Sequence, residues 1–204
     1  MSLISFPSLP PESRLFIFSA SRQLSSDELA TAVPIVEDFL ERWTVHKEDP
    51  TVGYQIRYGQ FLLVAVDESK LPPSGCSIDS LTRFTKQLGS QIGVELVDGP
   101  EVFYRNAEGI QGASRQQFAN LAAQGEVDAE TVVFNNAIQR LGELDESWEV
   151  AAHRSWHGRA FALKEAAQQA VYPTHPVLSQ ICRRLISVQK ADPSAGATTG
   201  PVRG

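Results

Sequence analysis

Cysteine is scarce in this chain. Cys76 and Cys182 are the only two among 204 residues, far apart and in unlike surroundings, which excludes a disulfide framework and any zinc-type ligand spacing. Positive charge is short as well. Eighteen Lys and Arg face 24 Asp and Glu, for a formal net charge of −6, so neither nucleic acid nor an anionic membrane is an expected partner. No apolar run approaches the roughly 20 residues of a membrane-spanning helix. The opening stretch MSLISFPSLPPESRLFIFSA has no basic region, and prolines interrupt its apolar run, so it does not read as a signal peptide. A cytoplasmic location is expected.

A nucleotide-binding loop is also lacking. FLLVAVDES (61–69) imitates the strand that ends in a magnesium-holding acid, here Asp67-Glu68. That acid works only beside a G-x-x-x-x-G-K-[ST] cradle, whose amides and lysine gather the phosphates. No lysine of this chain sits in such a loop. The expectation is a protein that is not an ATPase, with no cofactor.

What is present suits a globular core: 42% of the residues are hydrophobic and 21% charged, enough to bury a core without staples. RLFIF (14–18) predicts a strand. SSDELATAVPIVEDFLERW (25–43) predicts a helix capped at Ser26, with Ile35, Val36, Phe39, Leu40 and Trp43 at helical spacing and a kink or restart at Pro34. Tyr54 to Val66 reads as a hairpin turning at Gly59-Gln60. Ile78, Leu81, Phe84, Leu88 and Ile92 mark a second helix, ended by Gly89 or Gly93. VELVDGPEVFYR (94–105) supplies the next strand material. The order β-α-β-β-α-β predicts an α+β fold with a ferredoxin-like core over 10–105. An α/β extension follows over 106–163, making 1–163 one globular unit. Beyond it, 164–204 reads as short helices and a disordered tail.

The stretch PPSGCSIDSL (72–81) carries the most chemistry. Cys76 falls at a helix start, where unpaired amides and the helix dipole favour a thiolate. Three uses stand open. Cys76 is a candidate nucleophile or redox sensor, with His46 or His157 as candidate bases; the amides of Ser74, Gly75 and Ser77 are a candidate cradle for a small anion; or the cysteine is packing at a cap, with Gly75 giving the turn. Asp79 competes as a cap for the same amides. HRSWH (153–157) has the i,i+4 spacing of paired metal ligands, but no accompanying glutamate, so no metal site is assigned. Trp148 and Trp156, with Phe134, are the candidate surface for a protein or peptide partner, Asn135-Asn136 reads as a turn, and a homodimer is compatible with the pattern.

Two resemblances accompany these residues. LPPESRLFIF, FLERWTVH, RYGQFLLVAVDES, SGCSIDS, VVFNN, WEVAAHRSW and Phe161 together resemble a family of short bacterial proteins of uncharacterised function, often labelled "ABC transporter ATPase". This chain departs from it in its longer C-terminus and in Lys47. Over 103–152, Gly112, Ser114, Gly125, Thr131, Val133 and Trp148 are similar to the bacterial variant of the GYF domain, a binder of proline-rich peptides. Ala113 replaces that domain's proline and Phe134 its tryptophan. The combined expectation is a non-enzymatic interaction module, with thiol chemistry at Cys76 or anion sensing at 74–77 as alternatives.

Overall fold

The strand FLLVAVD, apolar at nearly every position, has to bury both of its faces, and the rest of the architecture follows from that. The computed structural model of the protein describes residues 3–45, 48–69, 71–97 and 102–164, which lie in a compact unit spanning Met1–Ala166. The helices and tail expected after 164, with Cys182 and His46, lie outside the described residues.

Strand β1 (Arg14–Ala20) leads to α1 (Ser26–Arg42), then β2 (Thr51–Arg57), β3 (Phe61–Asp67), α2 (Gly75–Ile92) and β4 (Leu96–Val97). These four strands form one sheet in the order β2-β3-β1-β4, every neighbour antiparallel. The second sheet joins β5 (Val102–Asn106), β6 (Gly109–Ala113), β7 (Val132–Phe134) and β8 (Glu149–Ala151) in the order β6-β5-β7-β8, with α3 (Arg115–Gln124) and α4 (Trp156–Ala160). The fold is α+β with two antiparallel sheets. β5 pairs with β6 and β7, so the first sheet ends at Val97 and not near residue 105 as the sequence pattern suggested.

Alternation along β3 divides the core. Leu62, Val64 and Val66 face α1 and α2 and pack with Val36, Leu40, Leu81 and Leu88. Phe61, Leu63 and Ala65 face the second sheet and pack with Phe103, Phe134 and Trp148. A third cluster forms on the far face of the second sheet, where Val102 and Val133 meet Phe118 of α3 and, at its edge, Trp156 and Phe161. A strand buried on both faces reads as an unbroken apolar run, because neither set of alternating side chains meets water.

Local signals account for most boundaries, with small shifts. Ser25, not Ser26, caps α1, forming a capping box with Glu28. Arg22 and the Ser25 backbone amide hold the Glu28 carboxyl down at about 2. Pro34 neither breaks nor restarts the helix; it is accommodated inside one continuous α1, at the loss of one i→i−4 bond. The β2–β3 turn centres on Tyr58-Gly59, at φ 56° and 60°, one residue earlier than expected.

A tyrosine in the left-handed region costs about 1–3 kcal/mol, so Tyr58 needs compensation. Its hydroxyl donates to Glu149 Oε2 at 2.6 Å, and the Arg105 guanidinium lies 4.7 Å from its ring centre. Arg105 also pairs with Glu149. The strained turn thereby fastens the first sheet to the second.

Where α2 returns toward β4, a Cβ on Gly89 would stand 2.5 Å from the Val94 carbonyl oxygen and 3.1 Å from Leu96 N. Backbone cannot yield as a flexible side chain does. Gly89→Ala is therefore expected to destabilise the protein by about 1–3 kcal/mol, read as a lower urea midpoint at unchanged m. An unchanged midpoint would show that the helix-to-strand spacing is not fixed.

Candidate functional site

Helix α2 begins where the sequence placed it, but with a different cap. Ser74 is the N-cap; its Oγ accepts the Ser77 amide at 3.3 Å and lies 2.9 Å from Ser77 Oγ. Asp79 does not cap these amides. Gly75 is the first helical residue, and a Cβ there would meet nothing within 4 Å, so no turn depends on it. Cys76, the next residue, is exposed. Of the candidate anion cradle, Ser77 is buried and its amide is already taken by Ser74.

Beside Cys76 a cleft of about 780 Å³ opens between the two helices. Ile35, Phe39 and Trp43 line it from α1 and its C-terminal end. Cys76, Ser80 and Phe84 line it from α2. Both triplets are spaced i, i+4, i+8, which brings side chains to one stripe of a helix. Phe39 and Phe84 stack with ring centres 3.8 Å apart and planes within 5°. Trp43 is 4% exposed, and its indole N–H donates to Ser80 Oγ at 2.8 Å and to the Ser77 carbonyl at 3.2 Å. Asp38 and Arg42, paired with each other one turn apart, stand at the rim. Sequence periodicity identifies Ile35, Phe39, Trp43 and Phe84 as helix-face residues without separating groove from core, and does not mark Ser80 at all. The signal that would have separated them is the meeting of an aromatic stripe with a stripe of Cys, Ser and Phe.

Cys76 and His157 are not brought together. His157 is completely buried in the third core cluster's neighbourhood, its ring 3.8 Å from Trp156 and 6.3 Å from Phe118, and none of these three borders the Cys76 cleft. Burial, with a smaller push from the Arg115 charge, lowers the His157 pKa to about 4. His153 lies in a 3-10 turn (Ala152–Arg154) outside α4, so HRSWH does not share a helical face. Its Nδ1 is 3.0 Å from the Ala129 carbonyl and 3.2 Å from Glu130. Among the described residues, no group of three His, Cys, Asp or Glu is arranged to hold a metal ion.

The partner surface expected of Phe134 and Trp148 is overturned. Both are 1% exposed; they fill the space between the sheets, and only Trp156 of the trio is partly open. Asn135-Asn136 does turn the chain, and Asn136 accepts the Trp148 indole N–H at 2.9 Å. Glu68, the mock catalytic acid, binds Arg14 at 3.4 Å and Arg140 at 3.0 Å, tying β3 to the segment after β7. Among the described residues, no helix is long and apolar enough to cross a membrane. No protein family, curated protein or solved structure matches the chain.

Proposed function

We propose that the protein is a non-catalytic interaction module that takes an apolar segment of a partner protein or peptide into the α1–α2 cleft. The observation behind this is the open cleft of about 780 Å³ floored by Ile35, Phe39 and Phe84 and edged by the hydroxyls of Ser74, Ser77 and Ser80. One inserted Leu or Phe side chain gains about 1.5–3 kcal/mol from leaving water, while the serine hydroxyls are held by one another and by Trp43 and keep the rim in place. The binding face thus moves from the 134–156 aromatics to the helices. The same proposal includes a ferredoxin-like assignment for residues 14–97, supported by the strand order β2-β3-β1-β4 with antiparallel neighbours. It also includes kinship with the short bacterial family, on sequence segments alone, and a cytoplasmic location.

A second reading, thiol-dependent catalysis or redox sensing, is favoured by one observation: Cys76 is exposed on the cleft wall. One experiment separates the two. In a Cys182→Ser background, peptides selected from a display library on the unmodified protein are measured against Cys76→Ser and against a bulky maleimide adduct of Cys76. Interaction predicts unchanged affinity for the serine variant and a loss of about tenfold or more for the plugged cleft. If no peptide prefers the open cleft over the plugged one, the interaction reading fails; if binding depends on the sulfur itself, the thiol reading replaces it.

A further inference from the structure

Away from that cleft, a second one of about 450 Å³ opens between the turn after β7 and α4. Ala137, Ile138 and Trp156 give it an apolar wall, and Arg154 and Arg159 line it. In a chain of net charge −6, carboxylates are plentiful. Arg14, Arg22, Arg42, Arg57, Arg105 and Arg140 each hold one. Among the described residues Arg83, Arg115, Arg154 and Arg159 hold none, and of these Arg154 and Arg159 line this one cleft.

The other polar groups sharpen the contrast. Glu143 is the carboxylate in this lining; its Oε2 accepts the amides of Gln139 at 3.0 Å and Arg140 at 2.8 Å, and it pairs with neither Arg154 nor Arg159. His153 is engaged through Nδ1 with Ala129 and Glu130. The indole N–H groups of Trp43 and Trp148 have acceptors, whereas that of Trp156 has none among the described residues. Arg154, Arg159 and Trp156, whose guanidinium and indole N–H donors have no acceptor among the described residues, therefore line one cleft together with Ala137 and Ile138.

A glycine makes this juxtaposition feasible. A Cβ on Gly158 would stand 2.9 Å from both the Ala152 carbonyl oxygen and His153 Cα. Only a residue without a side chain lets α4 lie against the 152–154 turn, and that contact puts Arg159 on the same cleft as Arg154.

We infer that this cleft binds a small organic oxyanion, a carboxylate or phosphate monoester attached to an apolar body. Guanidinium groups match such oxyanions with paired, charge-assisted hydrogen bonds, and Ala137 and Ile138 receive the apolar part. This site is independent of the α1–α2 cleft and of what binds there.

The three indole N–H signals of the ¹⁵N-labelled protein test it, with Trp156 assigned through Trp156→Phe. The probes are phenyl phosphate, benzoate, inorganic phosphate and the uncharged benzyl alcohol. Phenyl phosphate or benzoate is expected to move the Trp156 signal saturably below about 10 mM while Trp43 and Trp148 stay fixed. Which of the two binds more tightly identifies the oxyanion. Benzyl alcohol and inorganic phosphate are expected to bind at least about tenfold more weakly, each lacking one half of the recognition. Arg154→Gln with Arg159→Gln, both exposed and unpaired, is expected to fold normally and weaken binding about tenfold or more. Absence of a saturable Trp156 shift, or equal affinity in the double variant, overturns the site; inorganic phosphate binding as tightly as phenyl phosphate overturns the organic part.

Discussion

Acidification from neutral pH to about 4 is expected to remove roughly 3 kcal/mol of folding stability through one imidazole, His157. Its ring is fully buried. Nδ1 lies 2.8 Å from Ser155 Oγ, and that hydroxyl donates to the Ala152 carbonyl at 3.2 Å. Nδ1 therefore carries the ring proton toward Oγ, leaving Nε2 as a buried lone pair with no partner among the described residues. Adding a proton creates a buried N–H without an acceptor, and a charge near Arg115, the cation that faces it from α3. Desolvation dominates, and the pKa falls to about 4, against an unfolded value of about 6.5.

The sign follows from proton counts. Between these two values the unfolded chain binds more protons than the native one, so acid favours unfolding. The stability is complete above about pH 6.5 and is lost progressively down to about 4. Glu149 acts in a different window. Burial works to raise its pKa, but hydrogen bonds from Arg105 and Tyr58 prevail and hold it below the usual carboxylate range, so its contribution fades only in stronger acid. Urea unfolding at a series of pH values reads the slope, and His157→Phe, or His157→Gln should the larger ring not fit, is expected to flatten it. Equal wild-type stability at neutral pH and at pH 4.5, or a slope that survives both substitutions, would refute the assignment.

Local pattern carried the first sheet and its helices a long way, because each element there announces its own period. FLLVAVD is apolar throughout because β3 is covered on both faces, and the face of α2 recurs at helical spacing. The break between the sheets was not legible. VELVDGPEVFYR reads as one stretch of strand, and nothing local tells that Leu96–Val97 pairs with β1 while Val102–Asn106 pairs with β6 and β7. Pairing partners are a tertiary property. Periodicity also cannot distinguish an apolar stripe turned to the core from one turned to a groove, so Ile35, Phe39 and Trp43 were recognised only as a helix face. The site at Cys76 was half legible: the helix start was, whereas the exposure of the cysteine and its distance from His157 were not.

Trp148→Ala is expected to destabilise the protein by about 3–5 kcal/mol, the usual range for truncating a buried tryptophan. In the sequence reading this residue belongs to the candidate partner surface with Trp156 and Phe134. A π-helical turn (Leu144–Trp148) instead swings it inward, where its ring meets Phe61 and Phe134 edge-on at 5.2 Å each. Its indole N–H donates to Asn136 at 2.9 Å, and Asn136 Nδ2 donates to Ser19 Oγ on β1 at 3.0 Å. Truncation therefore opens a cavity and removes one end of a polar chain linking the sheets. Trp148→Phe keeps a ring and loses the N–H, and is expected to lose less than half as much. Because many proteins of this size are stable by only about 5–15 kcal/mol, the alanine variant is best read by its urea midpoint beside the phenylalanine one. A partner-contact residue behaves oppositely: its alanine variant unfolds like wild type and loses only binding. An unfolding free energy for Trp148→Ala within about 1 kcal/mol of wild type would return the residue to the surface.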